Sequence, residues 1–300
     1  MFKKIDVWSA IANPKPDIKN VLPGLPRGLV GVLVGAGGAS KSFYAQQMMF
    51  QVAAGSNCDF NLGEISKRHS DQVGRVIYVS LEDPEDIIRS RLHDIGAHYT
   101  STNNSQYFED VARDFIDIIS LAGEGVSIID PVGQLTEEGE RLFDQIRSSK
   151  HTELIVFDTF RRTFDGDEND GGLITKVLKH FEKLAKEIDA AILLIHHENK
   201  AGIANRDAGA EVSRGSSVIV FNSRWVARIR GMHKEEAEKL SLNTDIGEHK
   251  QWAFLEQLKV NHGPRLTGDW LKRNENGVLE AASPATGKPL KLVKTKGGRL

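Results

Sequence analysis

The sequence predicts an α/β protein in which a mostly parallel sheet is flanked by helices and extended by antiparallel strands. Short apolar, β-rich runs alternate with helical segments over the first two thirds of the chain. One run feeds a glycine-rich turn that opens directly into a helix. After Gly215 the alternation stops, and strand-like runs follow one another.

In chain order, residues 1–20 read as an irregular arm. Gly28–Val34 reads as a buried strand and Lys41–Ala54 as a helix. Val73–Leu81 is a second strand, and Pro84 opens a helix that Gly96 stops. Residues 97–135 give no clear pattern, and a helix is expected over Glu137–Ser149. Glu153–Phe157 is a third strand. Val177, Leu178, Phe181, Leu184 and Ile188 form one stripe of a helix over Ile174–Ile188. Ala190–Ile195 is a fourth strand, followed by a polar loop through Val212. Ser216–Arg230, Trp252–Val260 and Trp270–Leu279 then read as consecutive strands, with a short helix near Lys234–Leu240. This divides the chain into an arm over 1–20, one domain over 21–280 and a tail over 281–300.

The 300 residues are 40% hydrophobic and 27% charged, enough to bury a sizeable core. No run approaches the ~20 apolar residues that cross a bilayer. Asn13-Pro14-Lys15-Pro16 stands where a secretory leader would need its apolar run. Cys58 is the only cysteine, which excludes an intrachain disulfide and a thiolate zinc site. The expectation is a soluble cytoplasmic protein without a membrane partner. The net charge of −2 announces no global basic surface. Lys288, Lys291, Lys294, Lys296 and Arg299 nevertheless give the tail a local +5. Such a tail reads as a solvated terminus or a weak phosphate-binding arm.

Gly35-Ala36-Gly37-Gly38-Ala39-Ser40-Lys41-Ser42 follows the first strand and opens a helix, the context of a Walker A loop. Small residues let successive backbone N–H groups turn around a phosphate, and the helix N-terminus favours its charge. Lys41 is expected to reach the β- and γ-phosphates of ATP, and the Ser42 hydroxyl to ligate Mg²⁺. Ser40 stands where glycine is usual, and its side chain is expected to crowd the phosphate path.

Leu154-Ile155-Val156-Phe157-Asp158 has the form of a Walker B strand, with Asp158 as the Mg²⁺ carboxylate. Glu82, at the end of the second strand, is the candidate that orients or deprotonates the attacking water. Asp83 is expected to cap the helix begun by Pro84. His196-His197 closes the fourth strand, where a polar residue can sense the γ-phosphate. A His-His-Glu metal site is disfavoured, because adjacent strand residues face opposite sides.

The Walker A loop, Tyr78–Arg91, Asp158-Thr159-Phe160-Arg161-Arg162, Ile195-His196-His197 and Ser213-Arg214-Gly215-Ser216-Ser217 with Asn222-Ser223-Arg224-Trp225 occur in that order. Together they resemble the RepA replicative helicases of IncQ-type plasmids, which are RecA-like P-loop ATPases that form hexameric rings. The similarity runs over residues 20–280. It implies Glu82 as the catalytic glutamate, Asp158 as the Mg²⁺ carboxylate and His197 as the residue coupling the γ-phosphate to the DNA side. Arg91 matches an arginine near the site. Arg224 matches an arginine finger given to the neighbouring subunit's ATP, and Lys259 a hairpin lysine pointed across the same interface. Asn261 departs from the arginine that related helicases often carry.

DNA contact is sought in the loops over 163–172 and 199–212. The first is acidic and would repel a phosphate backbone. The second offers Lys200 and Arg206, which six copies would turn into a basic ring around single-stranded DNA. The resulting expectation is a ring-forming, Mg-ATP-dependent DNA helicase of plasmid or phage replication, acting with origin-binding and primase proteins. A RecA-like regulatory ATPase acting on a protein partner is the alternative. A small-molecule kinase is disfavoured, as no second substrate pocket or lid is evident.

Overall fold

The structure is a computed structural model that describes residues 4–57, 60–68, 70–102, 105–198 and 217–286. A two-stranded ribbon, β1 (Asn20–Leu22) and β2 (Leu25–Pro26), precedes a nine-stranded sheet. The sheet comprises β3 (Val30–Gly35), β4 (Arg75–Ser80), β5 (Ile116–Ser120), β6 (Thr152–Asp158), β7 (Ala191–His197), β8 (Trp225–Gly231), β9 (Trp252–Val260), β10 (Asp269–Arg273) and β11 (Leu279–Ala281). Their spatial order is β11-β10-β9-β8-β3-β7-β6-β4-β5. From β5 to β8 every pairing is parallel, and from β8 to β11 every pairing is antiparallel.

The helices are α1 (Val7–Ala12), α2 (Lys41–Ala54), α3 (Glu85–Thr102), α4 (Ser105–Phe115), α5 (Glu137–Ser148), α6 (Gly171–Ile188), α7 (Ser217–Asn222) and α8 (Lys234–Lys239). Strand alternation divides the core between them. Leu33, Tyr78, Val156 and Ile195 face α2, α3 and α4, whereas Val32, Val79, Phe157 and Leu194 face α5, α6 and α7. With both faces covered, β6 is buried at every position, as a parallel strand requires. Helix ends are set locally. Thr136 caps α5 by accepting from Gly139 N, and Asp170 caps α6 by accepting from Gly172 N and Leu173 N.

The expected mixed sheet is present, and four local readings are corrected. The arm is not wholly irregular, because Asp6 caps the short helix α1 and leaves Ile5, Trp8 and Ile11 exposed. Gly96 does not stop α3, which continues to Thr102. Burial of Ile95 and Tyr99 beside Phe108 outweighs the roughly 1 kcal/mol cost of an internal helix glycine. Residues 217–222 are helical despite their β-branched composition, since Ile219 and Val220 bury into the α6 face. The last expected strand is a hairpin, β10 and β11, turned where Asn274 Oδ1 accepts from Asn276 N and Val278 N. Within the unpatterned segment, β5 forms the sheet's outer parallel edge and α4 packs on the sheet face beside α2 and α3.

β3 approaches β8 closely where the phosphate loop begins. A Cβ on Gly35 would lie 2.3 Å from the backbone oxygen of Ile229. Gly35→Ala is therefore expected to lower unfolding stability by about 1–3 kcal/mol, as overpacking does. Urea denaturation checks this, and a parent-like midpoint would contradict it.

Candidate nucleotide site

Parallel sheets place ligands at the carboxyl ends of their strands, and six of the sequence-predicted residues meet there. β3 ends at Gly35, β4 leads to Glu82, β6 ends at Asp158 and β7 ends at His197. Lys41 opens α2, with Ser42 next to it. Gly37 and Gly38 lie at the exposed crown of the loop, and a Cβ on either would meet nothing within 4 Å. Ala39 is buried at its base.

Lys41 is 5% exposed, and its Nζ donates to Gly35 O and Ala36 O, each at 2.8 Å. It also lies 3.2 Å from His197 Nδ1. Burial lowers the Lys41 pKa, with the charges of Asp158, Glu82 and Glu198 opposing that shift. The ammonium thus sits on two neutral carbonyls, poorly solvated, where a phosphate would offer it full charge.

Asp158 is 2% exposed. Its Oδ2 accepts from the Tyr78 hydroxyl, while its buried Oδ1 has no hydrogen-bond partner. Burial raises its pKa, and the hydroxyls of Tyr78 and Ser42 oppose the rise. An orphaned carboxylate oxygen beside a serine hydroxyl suits a hard, oxygen-seeking cation, so Ser42 and Asp158 fit Mg²⁺.

His197 Nε2 lies 3.5 Å from Glu82 Oε2, which makes this imidazole a bridge between Glu82 and Lys41. His196 takes the other face of β7. It is 6% exposed, meets the Phe160 ring edge-on at a centroid distance of 5.9 Å, and is pushed down to about pH 4 by burial. Among the described residues no cluster of three His, Cys, Asp or Glu could hold a metal by itself. Asp83 does not act mainly as a cap, because its carboxylate forms an ion pair with Arg91.

The remaining predicted residues lie elsewhere. Arg224 precedes β8, whose Trp225 pairs with Gly31 near the start of β3. That puts Arg224 about 15 Å along the strand direction from the loop leaving Gly35, at ~3.3 Å per residue. Lys259 lies opposite Val226 at the same edge, and its Nζ donates to Phe221 O at 2.8 Å. Burial lowers the Lys259 pKa, and the charge of Arg224 adds to the effect. In the acidic loop, Asp170 is spent on the α6 cap and Asp167 accepts from Asn169. Lys200, Arg206, Ser213-Arg214-Gly215, Cys58 and the tail cations Lys288, Lys291, Lys294, Lys296 and Arg299 lie outside the described residues.

Three residues at the site receive no role from the sequence. Tyr78 follows from alternation, since it shares a face of β4 with Ser80, which pairs with Asp158. Glu198 follows His197, and burial raises its pKa. Arg273 donates to the Ser40 hydroxyl from the far end of the chain, and no local pattern announces it.

A glycine-rich loop, a buried lysine, a serine beside an unsatisfied aspartate and a strand-end glutamate define a P-loop ATPase. The chain belongs to the AAA domain family, whose model matches residues 1–202. That span holds the phosphate loop, Glu82, Asp158 and His197, and ends before β8 to β11. No described helix is long and apolar enough to cross a membrane.

The His196 shift sets an acid limit on folding. Its folded pKa lies below the ordinary 6.5, so the unfolded chain binds the extra proton. Stability is full above pH 6.5 and falls as pH drops toward 4, by about 3 kcal/mol at 1.36 kcal/mol per pKa unit. Urea titrations of His196→Leu should show a weaker loss between pH 7 and 4.5 than the parent. Identical pH dependence would contradict the assignment.

Proposed function

We propose that the protein is a ring-forming DNA helicase of the RepA type, coupling Mg-ATP hydrolysis to movement along single-stranded DNA in plasmid or phage replication. The observation that carries the reading is the pairing of Arg224 and Lys259 at the sheet edge opposite the phosphate loop. Neither has a carboxylate partner among the described residues, and the charge of Arg224 adds to the burial that lowers the Lys259 pKa. Two adjacent unneutralised cations suit an anion brought by another molecule. The phosphates in a neighbouring copy's loop supply one, whereas this chain's own loop is too distant.

In that arrangement each nucleotide lies between two subunits. Lys41 and the loop backbone would hold the phosphates, and Ser42 with Asp158 would hold Mg²⁺, which would supply charge neutralisation there. Glu82 orients or deprotonates the attacking water. His197 touches both Lys41 and Glu82, so a shift of either ion moves the end of β7 and the residues 199–212 that follow it. Lys200 and Arg206 in that segment are the proposed DNA contacts. Arg224, with Lys259, completes the charge stabilisation from the adjoining subunit. In related systems a trans arginine is worth ~10³–10⁵ in rate. Origin-binding and primase proteins would be partners of such a ring.

The test is steady-state ATP hydrolysis with and without single-stranded DNA, with Lys41→Ala as the blank. Strong stimulation by DNA that vanishes in the variant supports the motor. Hydrolysis indifferent to DNA would contradict it and favour a regulatory ATPase acting on a protein partner.

A further inference from the structure

The antiparallel extension returns a cation to the phosphate loop of its own chain. β10 runs back along β9 with Leu271 opposite Ala253 and Lys272 opposite Trp252, while β9 pairs with β8 beside β3. The end of β10 therefore reaches the edge at which β3 releases Gly35. There Arg273 Nη2 donates to Ser40 Oγ, and Nη1 donates to Lys250 O at 3.4 Å.

Several features of this contact suit an anion. Both acceptors are neutral, and Arg273 has no carboxylate partner among the described residues. Burial lowers its pKa with no opposing charge. A guanidinium so placed is costly until an anion meets it. Ser40 adds a second sign. Its φ of 68° is left-handed, which costs a residue other than glycine on the order of 1 kcal/mol. The hydroxyl that glycine would lack is the atom that receives Arg273. Ser40 thus holds a cation at the loop, where the sequence alone suggested only crowding. Arg273 also lines a cleft of about 570 Å³ with Lys250 and Lys272, which no residue of the phosphate loop lines; its link to the loop is the Ser40 contact. Glu275 and Glu280 line the same cleft without forming an ion pair with it.

We infer that Arg273 is a second cation of the nucleotide site, supplied within the same chain, which binds the phosphate chain of a nucleoside triphosphate beside Lys41 and is held ready by Ser40. The inference rests on Gly35–Ser42 holding the nucleotide and on nothing about DNA. Arg273 lies outside the residues shared with the AAA domain family. It differs from Arg224 in needing no neighbouring subunit.

The test is equilibrium binding of a fluorescent N-methylanthraniloyl ATP to the full chain over a range of salt. Arg273→Ala, Arg273→Gln and Arg273→Lys are compared with the parent, and Lys41→Ala serves as the blank. A lost charged hydrogen bond should weaken binding by about tenfold or more in the Ala and Gln variants. The Lys variant should recover part of the loss, and the salt dependence should be shallower in Ala and Gln than in the parent. Gln can still donate to Ser40, so recovery by Gln and not by Lys would overturn the inference and leave Arg273 a brace of the loop. Parent-like affinity in Arg273→Ala, with binding lost in Lys41→Ala, would overturn it while leaving the nucleotide site intact. A parent that binds no nucleotide would overturn both. If melting temperatures show that the Ala variant does not fold, the Lys and Gln variants carry the comparison.

Discussion

β3 lies between β7 and β8, and the remaining architecture is arranged around the loop that leaves its end. On one side, β7, β6 and β4 deliver His197, Asp158 and Glu82 to the loop in spatial order. On the other, β8 packs so tightly that no side chain fits at Gly35. The loop is held from both sides by the protein itself. This is the preorganisation that charge stabilisation needs, because dipoles already fixed cost nothing to reorient during reaction.

The electrostatics near the loop are unbalanced in a particular way. Arg228 is buried but satisfied, pairing with Glu256 at 2.6 Å and approaching Glu198. Lys41 and Asp158 are buried without full satisfaction, one on neutral carbonyls and the other with an unpartnered oxygen. Buried charge normally comes paired. The contrast within one region separates what holds the sheet together from what awaits a ligand. It gives the nucleotide site a physical basis independent of the motif that first marked it.

Much of the fold was legible because its signals are local. The helix over Lys41–Ala54 and the strand over Trp252–Val260 stand where the sequence predicts them; the first runs from the glycine-rich loop to Gly55, and the second is a β-rich apolar run. Residues 217–222 and the passage of α3 through Gly96 were not legible. Both depend on side chains such as Ile219, Tyr99 and Phe108 finding partners distant in sequence. At the site, Lys41, Ser42, Asp158 and His197 were readable because each ends a strand or lies at the opening of a helix, and Glu82 because it follows the β4 strand directly before a helix. Arg273 reaches Ser40 only through three strand pairings, and no window of sequence contains that relation.

We propose that catalysis uses one subunit's phosphate loop and the adjoining subunit's Arg224. Mixing Arg224→Ala chains with Lys41→Ala chains tests it most directly. Each parent variant should be nearly inactive. At hybrid interfaces an intact loop faces an intact arginine, so the mixture should recover measurable ATP hydrolysis. Activity in every mixture no greater than that of the separate variants, despite demonstrated subunit exchange, would contradict the account.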